Sequence, residues 1–272
     1  MRGRIIFWLV AMLVSSAVGY AVTAAFSDGG PRIAQRAVVM EEPAQPQIYA
    51  TDGYSVVQPS LPRVRMLPCC LTIAGSYPEV RYDDRPVRAV NLELTNIVAS
   101  NEREWVSNYD QIEVQMMKGA PKGVEVNPGS YGVRADFVAV SSRIASALIS
   151  VSAAPGGTVW SLWISANVLV PSGRPVNLLN TLFARPALVE SVLDQVSNQA
   201  FHKYASWLNQ ESPPFQVSPP FGNLALAKDG MLMGFTGDDF GGTPGTRLEV
   251  LVPYSVLTPY LSNLGKTIVA SI

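Results

Sequence analysis

The chain has 272 residues, enough for one ordinary domain with short appendages. Its formal net charge is -1 and only 15% of its residues are charged. Without a basic stripe, that balance excludes the clustered Lys and Arg by which a nucleic-acid binder displaces counterions from phosphates. With two cysteines and one histidine the chain also lacks the roughly four spaced ligands of a structural zinc site, and no cofactor or metal is expected.

The first residues predict export. The run from Ile5 to Phe26 carries no charge and follows Arg2 and Arg4. About 20 apolar residues in a helix cross the hydrocarbon core of a bilayer, so residues 1–26 read as a signal peptide or a transmembrane signal anchor. Ala21, Thr23, Ala24 and Ala25 offer a peptidase site, whereas the length of the run favours retention. The positive-inside rule places residues 27–272 outside the cytoplasm. A retained anchor would hold them at the cell envelope through membrane contact by residues 5–26, and cleavage would leave a periplasmic or secreted protein.

Residues 27–68 are proline-rich, with Pro31, Pro43, Pro46, Pro59, Pro62 and Pro68, and read as an extended tether in which Ile48 to Val57 offers a short edge strand. The adjacent Cys69 and Cys70 leave three states open: a vicinal disulfide, two thiols, or a link to a second chain. A local structural feature is the plainer reading. The folded domain is expected over residues 69–272.

Its first helix is signalled by Val87, Val90, Leu94, Ile97 and Val98, with Pro86 in the first turn and Asn101 at the end of the apolar period. Ile112 to Met116 fits a strand or a helix tail. From Tyr131, Val133, Ala135, Phe137 and Ala139 alternate with Arg134, Asp136 and Val138, and Ala147–Ser152 and Val159–Val170 continue the two-residue rhythm. These predict antiparallel strands joined at Ser141–Ser142 and at a hairpin around Pro155, Gly156 and Gly157. Trp160 and Trp163 fall on opposite faces, which predicts at least one partly exposed indole. After the Pro171–Gly173 turn and Val176–Phe183, Pro186 opens the strongest helix, with an apolar stripe from Leu188 through Val192, Val196 and Ala200 to Leu208. Pro213, Pro214, Pro219 and Pro220 end it. Strands follow at Asn223–Lys228, Met231–Thr236 and Arg247–Pro253, then a terminal helix over Ser255–Leu264. The order predicts an α+β fold, a mainly antiparallel sheet with packed helices, preceded by the apolar N-terminal helix.

Catalytic chemistry is thin. His202, the single imidazole, lies inside the strongest helix with no nucleophile motif around it. Asp238, Asp239 and Phe240, beside Gly237, Gly241 and Gly242, are the candidate binding residues of one loop. The spacing of the two carboxylates does not make an EF-hand, and a solvated loop between strands is the plainer reading. The glycines, with no βα unit around them, form no phosphate fingerprint.

The segment Asp229-Gly-Met-Leu-Met-Gly-Phe235, a Gly-rich loop, and Leu248-Glu-Val-Leu-Val-Pro-Tyr-Ser-Val-Leu257 together resemble the end of the RsiV-like exported bacterial domain family. Leu148–Ser152, Gly156-Gly157, Asn167, Gly173 and Val176–Phe183 extend the similarity upstream in the family's order. The family includes ectodomains of RsiV-type anti-sigma factors and secreted mycobacterial antigens. The resemblance implies an extracellular recognition surface on an α+β scaffold, and transfers no catalytic residue. With four residues ahead of the apolar run, anti-sigma activity is not expected to carry over. The expected function is a non-enzymatic envelope binding or interaction module whose partner is an envelope protein or wall polymer. Two alternatives stand beside it: a hydrolase of envelope glycan or ester, and a purely structural role.

Overall fold

The computed structural model describes residues 38–40, 46–59, 71–119, 129–154, 160–207, 221–240 and 247–272, all within the unit Ala37–Ile272. The leader at 5–26, Cys69 and Cys70, the Pro155–Gly157 turn, the prolines from Pro213 to Pro220, and Gly241 and Gly242 lie outside the described residues.

In chain order the strands are β1 (Val38–Met40), β2 (Gln47–Ala50), β3 (Tyr54–Val57), β4 (Leu71–Gly75), β5 (Glu79–Tyr82) and β6 (Arg85–Pro86). Helix α1 (Arg88–Gly119) follows, then β7 (Gly129–Val140), β8 (Ile144–Ala154), β9 (Trp160–Leu169) and β10 (Arg174–Pro175). Two helices come next, α2 (Leu178–Leu182) and α3 (Pro186–Trp207), before β11 (Leu224–Ala227) and β12 (Gly230–Thr236). The chain closes with α4 (Gly237–Phe240), β13 (Arg247–Pro253), α5 (Tyr254–Leu257), a 3-10 turn at Thr258–Tyr260, and α6 (Asn263–Val269).

Alternation builds the centre. The alternating stretches become β7, β8 and β9, the inner strands of a sheet ordered β10-β9-β8-β7-β2. β7 is long enough that its other edge carries two short parallel strands, β2 against Phe137–Val140 and β4 against Gly129–Val133. The gap between them falls at Ala135, where Gln58 Nε2 donates to the backbone oxygen at 2.8 Å. A second sheet, ordered β1-β13-β12-β11, is antiparallel throughout, and β3, β5 and β6 form a small third one.

The α+β class therefore holds, with one mixed and two antiparallel sheets. The layers follow from which faces are apolar. On one face of the first sheet Ala147, Ile149 and Val151 pack with Val90, Leu94 and Val98 of α1. On its other face Phe137, Leu148 and Trp163 meet Ala225 and Leu232 of the second sheet. The far face of the second sheet receives α3, where the rings of Phe201 and Phe235 meet edge to face at 4.9 Å between centroids. The stripe predicted for the strongest helix is thus covered by a sheet, with Val189, Val192, Leu193, Val196, Ala200 and Phe201 buried and Leu188 exposed at its start.

Five expectations change. The first helix begins at Arg88 and runs through Asn101 to Gly119, taking in Ile112–Met116, while Pro86 ends a strand. Asn101 does not close the apolar period, because its Oδ1 accepts from the Tyr131 hydroxyl at 2.8 Å and the helix continues to Trp105, whose ring lies 5.7 Å from that of Tyr131. Within 27–68, where composition predicts a tether, β1, β2 and β3 each pair with a strand from later in the chain, and such long-range pairing leaves no local period to read. The single terminal helix is replaced by α5, the 3-10 turn and α6, with Pro259 in the turn and the Ser262 hydroxyl capping α6 by accepting from Gly265 N–H. The expected loop after Thr236 opens with the one-turn helix α4. Among the described residues no helix is long and apolar enough to cross a membrane.

Candidate functional site

The polar residues of β9 set the site. Ser165 and Asn167 leave the strand on the face toward the second sheet and clasp the segment entering β11. Asn167 Nδ2 donates to Leu224 O at 2.9 Å, and its Oδ1 accepts from the Ser146 hydroxyl at 2.5 Å. The same hydroxyl accepts from Leu226 N–H at 2.7 Å, and the Ser165 hydroxyl donates to Gly222 O at 3.0 Å. β11 is an edge strand, and Gly234 N–H donates to Asn223 O at 2.9 Å. Asn223 and Ala225 therefore face β12, while Leu224 and Leu226 face away. Their outward backbone groups are satisfied by the side chains of Asn167 and Ser146, which is why polar side chains are buried there.

Alongside this clasp, β10 ends at Pro175 and the chain turns into α2, whose first turn is capped by Asn177 Oδ1 accepting from Asn180 N–H at 3.0 Å. The space between the turn, α1 and the clasped segment is an open cleft of about 340 Å³. Its wall carries Ile97 from α1, Ser165 and Asn167 from β9, Val176 and Asn177 after β10, and Phe221 before β11. Among the described residues, none that lines it is ionisable.

The charged groups gather elsewhere, between the two large sheets. The register of β7 against β8 shifts from Ala135 opposite Ile149 to Phe137 opposite Leu148, so Asp136 is the extra residue of a β-bulge. It is wholly buried, and Arg134 Nε donates to its Oδ1. Burial pushes the Asp136 carboxyl above its ordinary range, opposed by the Ser150 hydroxyl and by the guanidinium groups of Arg134 and Arg247. From the second sheet, Arg247 lies 5.5 Å over the ring of Trp163, whose Nε1 donates to Phe235 O at 3.2 Å. Glu249, also wholly buried, stands opposite Gly234 in register, and a Cβ on Gly234 would meet the Trp163 ring. The two carboxylates of the cluster are wholly buried while the Arg134 side chain keeps 37% of its surface exposed, so the cluster ties the sheets together from their margin inward.

The residues singled out from sequence are scattered. His202 is exposed on α3. Asp239 is exposed and turned back on its own helix: its Oδ2 accepts from Thr236 N–H at 2.7 Å and from the Thr236 hydroxyl at 2.9 Å, which caps α4. The side chains of Asp238 and Phe240 lie outside the described residues, as do Cys69 and Cys70. Trp163 is buried, and the side chain of Trp160 lies outside the described residues. Among the described residues no three His, Cys, Asp or Glu side chains gather closely enough to hold a metal ion. The sequence reading missed both the clasp and the charged cluster. The one available signal was the adjacent apolar pair Phe137 and Val138, which interrupts strict alternation beside the bulge.

The sequence matches no protein-family model and no curated protein. Solved structures that match are bacterial proteins of the DUF3298 family. A member from Bacteroides fragilis is 16% identical over 80% of this chain and 96% of its own, with a TM-score of 0.49. A DUF3298 family protein from Pseudomonas aeruginosa is 15% identical over 78% of this chain and 94% of its own, with a TM-score of 0.44.

Proposed function

We propose that the chain is a non-enzymatic binding module of RsiV-like kind, exported and presented at the cell envelope by its first 26 residues. The observation that carries the binding reading is the lining of the cleft. Among the described residues it offers hydroxyl, amide and apolar surface but no ionisable side chain, and the hydroxyl of Ser165 is engaged with Gly222. Such a wall recognises by hydrogen bonding and apolar contact, and supplies neither the base nor the activated nucleophile that hydrolysis needs. Export is supported by the uncharged run Ile5–Phe26 behind Arg2 and Arg4. The RsiV-like reading is supported by the strand motifs at Asp229–Phe235 and Leu248–Leu257. The partner is an envelope protein or wall polymer.

Gly222 gives the test. It is exposed and lines the cleft, and a Cβ built on it meets no atom within 4 Å, so Gly222→Trp places bulk at the cleft wall. The full chain and this variant are expressed, fractionated and cross-linked in intact envelopes. The expected result is a specific adduct in the envelope fraction with the wild type and its loss in Gly222→Trp at an unchanged melting temperature. An adduct of equal yield from both would overturn the cleft as the site, and recovery of both in the cytoplasm would overturn export.

A further inference from the structure

We infer that the cleft receives an extended, uncharged peptide segment that adds as a strand to the outer edge of β9. The inference rests on the binding reading above and names the class of partner. β9 runs for ten residues, yet on its outer edge β10 pairs only with Val168 and Leu169. Just beyond that pair, Val176 N–H donates to Asn167 O at 2.9 Å, which fixes the outward direction of the Asn167 backbone. Along an antiparallel ladder the direction alternates, so the backbone groups of Ser161, Trp163 and Ser165 also face outward. Among the described residues none of them has a partner on that side, whereas those of Ala166, Ile164 and Leu162 face β8.

Elsewhere the protein closes such edges with side chains. Gln58 fills the gap on β7, and Asn167 and Ser146 satisfy the outward groups of β11. The outer edge of β9 has no such closure among the described residues, and the cleft lies at its Ser165 end. Only an extended chain presents N–H and C=O groups at the two-residue spacing this edge requires. The uncharged lining fits a segment without Lys, Arg, Asp or Glu where it passes Asn177 and Phe221.

The experiment uses the full chain in detergent and synthetic hexapeptides chosen from a random display library by binding to it. Each selected peptide is N-methylated one position at a time, and amide exchange of residues 161–165 is followed with and without the peptide. Strand addition predicts that methylation at alternate positions weakens binding by about tenfold per lost hydrogen bond while the intervening positions tolerate it. It also predicts protection at Ser161, Trp163 and Ser165. Uniform tolerance to methylation, protection confined to other segments, or a library that yields no binding hexapeptide would overturn it. If these occur while Gly222→Trp still loses the envelope adduct, the edge proposal falls and the cleft remains the site.

Discussion

Gly234 and Asp136 show how much the interior depends on single side chains. A Cβ on Gly234 would lie 2.6 Å from Trp163 Cγ, so the indole rests on bare backbone. Gly234→Ala is expected to cost about 1–3 kcal/mol, the usual range for overpacking, read as a lower urea midpoint with an unchanged slope. Asp136 makes a prediction about pH. Its carboxyl is raised from the ordinary 3.8 by burial, so the folded chain holds the proton to a higher pH than the unfolded chain. This group's contribution is most favourable below the unfolded pKa and is lost as pH rises through the raised folded value. Asp136→Asn lacks that decline. Urea unfolding of both proteins between about pH 4 and pH 7 should therefore show the variant gaining on the wild type as pH rises. A constant difference across the range would refute the raised carboxyl. Neither residue was legible as special in the sequence. Gly234 lies in an ordinary strand pattern, and Asp136 reads as one more polar position on an outward face, because alternation cannot tell water from a second sheet.

At the scale of elements, the two-residue and helical periods placed most of the later strands and the strongest helix. They failed where a polar residue carries on an apolar face. Asn101 looks like the end of a helix because it is polar, yet it serves the Tyr131 hydroxyl, whose phenol burial pushes upward with a smaller contribution from Glu102. The clasp at β11 was hidden for the same reason, since Ser146 and Asn167 look like surface positions and instead complete a buried edge. Ser146→Ala leaves Leu226 N–H and Asn167 Oδ1 without their partner, and is expected to cost about 1–3 kcal/mol. Faster exchange of the Leu226 amide should accompany the loss. Unchanged exchange there would show that the strand is held by its packing alone.

The unit Ala37–Ile272 stacks α1, the first sheet, the second sheet and α3, so its core is split into inter-layer spaces. The class and most of the elements were legible from the two periods. The division into two large sheets was not legible, because it depends on which strands meet across long separations. The same limit applies to residues 38–57, whose prolines and short apolar runs look like a spacer while β1 and β2 join two different sheets. A chain beginning at Leu71 is therefore expected to lose cooperative thermal unfolding, measured by circular dichroism, where a true tether would leave it intact.

The pairing of β1 with β13 also sets an order of events. Val38 meets Leu251, residues separated by nearly the whole described chain. During synthesis the second sheet has no partner for β1 until the last strand emerges. Strands β2 and β4 likewise wait for β7. Pairings of such wide separation close slowly, because the loop between them must be restrained before any contact rewards it. The early strands thus stay unpaired for most of synthesis, which makes completion of β13 the step that commits the sandwich to its native shape.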